Sequence, residues 1–164
     1  MVWSRLMAFC RKIFWRSSID STRHSAGEPL EPIVPTEPIT RFIHYSSYYT
    51  ESTGRVKAAA IAPARNTQAN RLETSVYRAS EATSAELWDI CGAFVDDPAR
   101  ERVMRARATC TAEAALATGL LIDADGKPHV RHANLVNWPT AKDEQKNIQQ
   151  KIAARMTLEL RPVP

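Results

Sequence analysis

The sequence predicts an α+β fold, with a small antiparallel sheet of about four or five strands and two or three helices packed on one face. Three observations carry this expectation. Aromatic and β-branched runs bounded by turn residues recur between Thr40 and Asp123; helix-start signals stand at Thr83, Ser84 and Thr140; and no internal repeat is evident. With 164 residues, of which 44% are hydrophobic and 24% charged, the chain has room for one domain and a modest core.

Residues 1–18 read as a basic amphipathic helix, 19–39 as a Ser/Pro-rich linker and 40–164 as the single α+β domain. Plotted at 100° per residue, Val2, Trp3, Leu6, Met7, Phe9, Cys10, Ile13 and Phe14 share one arc of roughly 160°. Arg5, Lys12 and Arg16 lie opposite. Such a helix suits an anionic membrane surface or a protein partner, with Trp3, Leu6, Phe9, Ile13 and Phe14 inserted and Arg5, Lys12 and Arg16 meeting acidic groups. Two other readings compete: an organelle-targeting segment in a eukaryotic chain, and a helix docked on the domain.

Charge follows the same division. Residues 1–27 hold five basic side chains and one acid, whereas the remaining 137 residues hold 17 of each sign, so the whole excess of +4 sits at one end. A balanced domain lacks the net attraction behind most non-specific nucleic-acid affinity, which ranks that partner low without removing it. The three cysteines, Cys10, Cys91 and Cys110, are far apart and form no CxxC pair, as expected of a reducing compartment. No run of 18 apolar residues occurs. The expected location is cytoplasmic and peripheral to a membrane.

Pro29, Pro32, Pro35 and Pro38 recur every third residue, the repeat of a polyproline II spacer. The aromatic run 41–49, the turn 51–54 and the return 55–62 predict a first hairpin, and 73–78 predicts a third strand with Val76 and Arg78 opposite Tyr77. A helix over 83–91 follows, with Gly92 placed to end it. Asp96, Asp97 and Pro98 signal another start. Residues 103–109 fit either a strand with arginines outward or a helix continued to Gly119. A strand over 119–123, a turn over 123–126, a strand over 130–138 and a last helix over 140–158 complete the reading.

Reactive side chains concentrate between Asp123 and Trp138. In an extended 130–138, His132, Asn134 and Trp138 point one way, and His129 and Arg131 the other. His132 would serve as general acid or base and Asn134 as hydrogen-bond donor, beside an aromatic wall; His44, next to Tyr45, would supply a second half of the pocket. His129, Arg131 and Trp138 are candidates for recognition. His129, His132, Asp123 and Asp125 do not make up a metal set at a recognised spacing, and no cofactor fingerprint occurs, so neither metal nor cofactor is expected. No Gly-x-Ser-x-Gly elbow marks a nucleophile. Arg100, Arg102, Arg105 and Arg107 form a basic cluster mixed with Asp96, Asp97 and Glu101.

The leading expectation is a binding or adaptor module recruited through residues 2–16. The alternatives are a small hydrolase or transferase with a His/Asn-centred site, and a nucleic-acid-binding accessory protein.

Overall fold

Side chains alternate along a strand, so an apolar pair of neighbours makes both faces of a sheet apolar and both must be covered. Ile43 beside Phe42, and Val76 beside Tyr77, are such pairs. In the computed structural model, which describes residues 31–163, they divide two cores. The strands are β1 (Pro38–Ile43), β2 (Tyr49–Thr50), β3 (Arg55–Val56), β4 (Ala64–Asn66), β5 (Arg71–Arg78), β6 (Ala106–Thr111), β7 (Leu121–Asp123), β8 (His132–Val136) and β9 (Thr157–Leu160). The helices are α1 (Ser84–Phe94), α2 (Ala112–Leu116) and α3 (Lys142–Ala153). The main sheet has seven strands in the order β7-β8-β5-β1-β6-β9, with β4 added against β5, and every adjacent pair is antiparallel.

On one face, Ile39, Ile43, Val76, Ala106, Ala133 and Leu135 pack with α2 and with Ile152 and Ala153 of α3. On the other, Phe42 and Tyr77 pack with Leu87, Trp88, Ile90 and Cys91 of α1. Each large side chain so buried contributes about 1.5–3 kcal/mol. The α+β class holds, but two details are corrected: the sheet has seven strands where four or five were expected, and the helices are not on a single face, because the strands are apolar on both sides and α1 and α3 lie across the sheet from one another.

Several boundaries also move. The expected first hairpin forms only beside its 51–54 turn, where Tyr49 and Thr50 pair with Val56 and Arg55, because the 41–43 part of the run belongs to β1 and pairs with β6. The 103–118 segment is a strand followed by a short helix. Arg107 turns inward from it and pairs with Glu159 on β9. The last helix stops at Ala153, and Thr157–Leu160 returns as a strand. Glu159 then joins that strand to α1, accepting hydrogen bonds from Ser84 Oγ and Trp88 Nε1 as well as Arg107. Burial alone would raise its carboxyl, but these donors together hold it below its ordinary value.

From Glu31 onward the proline-spaced segment runs along the domain instead of spanning away from it, with Ile33 packed on the core while Pro32 and Pro35 stay exposed. Glu37 is buried and grips Arg78 through two hydrogen bonds of 2.6 and 2.9 Å, while the Glu37 and Pro35 carbonyls accept from Ala112 and Glu113 at the start of α2. The amphipathic helix of residues 2–16 and Pro29 lie outside the described residues.

Candidate functional site

Strand parity and one long-range pairing assemble the site. β5 and β8 run antiparallel with Tyr77 opposite His132 and Ser75 opposite Asn134. These four side chains share the face that α1 covers only in part, and the alternating Val76, Ala133 and Leu135 go to the core beneath. A turn before β8 supplies the fifth residue. Gly126 takes a left-handed conformation (φ 62°), which costs glycine little, and its N–H bonds the His132 carbonyl at 3.2 Å. That bond folds the turn back along the strand and sets Asp125 beside the His132 ring.

The resulting hydrogen-bond chain is continuous. Ser75 Oγ lies 2.6 Å from His132 Nε2, and His132 Nδ1 lies 2.5 Å from Asp125 Oδ1. Asn134 Nδ2 donates to the second carboxylate oxygen of Asp125 at 3.0 Å, and the Lys127 N–H donates to the first at 3.3 Å. A carboxylate accepts, so it selects the tautomer with the proton on Nδ1 and leaves Nε2 to accept from the Ser75 hydroxyl. The Tyr77 ring meets the imidazole edge-on at 5.2 Å, and burial pushes its phenol up to about 12, so it stays neutral. His132 and Asn134 keep only 7% and 3% of their surface, whereas the Asp125 side chain keeps 34% and Ser75 is partly exposed. The inner members are held and the outer ones reach solvent.

Serine, histidine and aspartate linked in this order are the parts of an acyl-transfer relay: hydroxyl, base and orienting carboxylate. Comparison of the chain with protein families, with curated proteins and with solved structures gave no match.

Of the residues singled out from sequence, His132 and Asn134 do come together, through Asp125. His44 does not join them. Its Nδ1 lies 2.9 Å from the Val103 carbonyl oxygen, its ring packs on Tyr45, and the cavity it lines contains none of Ser75, Asp125 and His132. Trp138 is no wall for the site either. Asn137 adopts a left-handed φ of 66°, which ends the strand alternation, and Trp138 turns to the opposite core with its Nε1 donating to the Leu135 carbonyl. Tyr77 takes the aromatic place instead. His129 packs on Phe94 and accepts from the Arg131 N–H; burial, then the Arg131 charge, lowers its pKa. Arg131 donates to the Ser80 carbonyl at 2.7 Å, so both residues brace the loop beside α1.

Ser75 is not among the residues singled out from sequence, and Asp125 is named only beside His132 in the rejected metal set. Parity does put Ser75 on the Tyr77 face of its strand, yet nothing local shows that this strand pairs with one 57 residues later. Asp125 read as a turn residue, as it is.

Proposed function

We propose that the chain is a small hydrolase or acyltransferase with Ser75 as nucleophile. The observation behind this reading is the unbroken chain from Ser75 Oγ through both ring nitrogens of His132 to Asp125. Ser75 Oγ attacks an acyl carbon as its proton passes to His132 Nε2, and Asp125 stabilises the imidazolium so formed. Collapse of the adduct breaks the bond to the leaving group, which takes the proton from His132. Water or another acceptor then attacks the acyl-serine and gives its proton to the same nitrogen, and the acyl–Oγ bond breaks as His132 returns that proton to Ser75 Oγ. Asn134 acts one step back by fixing the carboxylate, a positioning role.

A fluorophosphonate probe tests the assignment without knowledge of the substrate. The wild-type chain should take up one probe at Ser75, read by peptide mass spectrometry, and Ser75→Ala and His132→Gln should take up none. Asp125→Asn, which holds the wrong tautomer, should slow labelling by about 10³-fold or more. A native chain that resists the probe, or a His132→Gln variant labelled as fast as wild type, would refute the role of Ser75.

A second reading concerns recruitment, and its support is the charge separation in the sequence: the whole +4 excess and the apolar arc coincide in residues 1–27. We infer that residues 2–16 draw the chain to an anionic membrane surface. Reversing Arg5, Lys12 and Arg16 to Glu in the full chain should abolish co-sedimentation with phosphatidylserine vesicles at physiological salt. Equal sedimentation of both chains would reject it.

A further inference from the structure

At the far end of β1 the chain opens a cavity of about 400 Å³ with an uneven chemistry. Arg41, Arg100 and Arg102 line it together with His44, Tyr45 and Tyr48, and no carboxylate is among its lining residues. Its size is that of a small-ligand site. Three cations and, with Phe42, four aromatic rings on one concavity call for an occupant that is anionic at one end and flat at the other.

Arg41 is the strongest sign. Its Nε donates to the Ala60 carbonyl at 3.3 Å and its Nη1 to the Ser75 carbonyl at 2.8 Å, both neutral acceptors. Nη2 has no hydrogen bond to any described residue, and no described carboxylate forms an ion pair with this guanidinium. Burial, and after it the nearby charge of Arg102, brings its pKa down to about 10, so at neutral pH it is still a cation. A half-buried cation that meets only neutral acceptors among the described residues is costly, and an anion in the cavity would offset that cost. Arg102 is exposed and likewise has no ion-pair partner among the described residues. Arg100 stands at the rim, its side chain 85% exposed and 3.4 Å from Asp97, a distance that leaves its fork available.

The aromatic side is as deliberate in its geometry. Tyr45 keeps 55% of its surface, a large exposure for a ring, and is braced edge-on by His44 at 4.4 Å and by Tyr48 at 5.2 Å. A ring held by its neighbours and open to solvent can stack a planar group at little entropic cost.

From these features we propose that the cavity binds a nucleotide, its phosphate held by Arg41, Arg100 and Arg102 and its base stacked on Tyr45. Guanidinium forks match phosphate oxygens two at a time, and base stacking on tyrosine adds affinity without demanding one base. The site is independent of the acyl-transfer reading. It uses none of Ser75, His132 or Asp125 side chains.

The test is calorimetric titration of the full chain with adenosine monophosphate, adenosine, inorganic phosphate and a single-stranded tetranucleotide. One monophosphate should bind per chain, with adenosine and phosphate each at least tenfold weaker. Arg102→Ala and Tyr45→Ala alter exposed side chains and should keep the native thermal melt. The first should weaken monophosphate binding at least tenfold; the second should weaken it similarly while leaving the affinity for inorganic phosphate unchanged. Arg41→Lys, which retains the charge and loses the fork, should also weaken it. A tetranucleotide bound much more tightly than the monophosphate, with the same losses, makes the source a nucleic-acid strand; equal affinity makes it a free nucleotide. No binding of either at millimolar concentration, or binding untouched by both Arg102→Ala and Tyr45→Ala, overturns the proposal.

Discussion

Cys91 and Cys110 are both buried, one on the inner face of α1 and the other on β6. Burial, and next the charge of Asp96, pushes the Cys91 thiol up to about 12; burial pushes Cys110 to about 11. Only the thiolate is nucleophilic, so neither should react while the fold is intact. Iodoacetamide at about pH 8 should leave both unmodified in the native protein and modify both in urea, as judged by peptide mapping. Rapid native modification of Cys91 would show that the inner face of α1 does not stay docked on Phe42 and Tyr77. The same residue-level view explains what sequence could reach at the acyl-transfer site. His132 and Asn134 lie two apart on one strand, so alternation alone put them side by side. Ser75 needed knowledge of a partner strand, and Asp125 needed the path of a turn, both set by tertiary contacts.

Among the elements, α1 was the most legible at its start, which is written locally, whereas its expected stop at Gly92 is corrected: the helix runs through that glycine to Phe94. Thr83 Oγ1 accepts from the Glu86 N–H at 3.2 Å and the Glu86 carboxylate accepts from the Thr83 N–H at 2.7 Å, a reciprocal cap. Replacing Thr83 by Ala should cost about 1 kcal/mol, measured by urea unfolding. Hydrogen bonds from the Thr83 backbone, then from its side chain, hold the Glu86 carboxyl below its ordinary value. A lowered folded pKa means that the unfolded chain binds the proton more readily, so the contribution is complete above the unfolded carboxyl value near about 4.3 and is lost as pH falls through the folded one. The gap between wild type and Thr83→Ala should therefore hold steady at neutral pH and narrow as pH falls below the unfolded carboxyl value. A gap that stays constant would count against the reciprocal cap. By contrast β9 carries no start signal of its own: Thr157–Leu160 follows α3 after a short turn, and the apolar stripe of Ile148, Ile152 and Met156 runs up to it as though the helix continued. Only the pairing of Leu158 with Ala108 and Glu159 with Arg107 makes it a strand.

For the molecule as a whole, the α+β class and the antiparallel habit followed from local texture, but the layering did not. Arg107 shows why. A sequence that alternates arginine with alanine and methionine suggests outward charges, yet here Arg107 lies buried beneath α1 with Glu159 as partner, because the sheet has no bare face at that point. Long-range order of this kind depends on which strands meet, and β1, near the start of the described chain, is central precedent for none of its neighbours in sequence: it sits between β5 and β6.

The margins of the sheet bear on how the protein behaves in a crowd. Its outermost strands, β7 and β9, have three and four residues, and Pro162 follows two positions after the second. Such brief borders offer a neighbouring molecule too few free amides and carbonyls to extend the ladder, which discourages growth into fibrils even with Leu121 and Leu160 open to water.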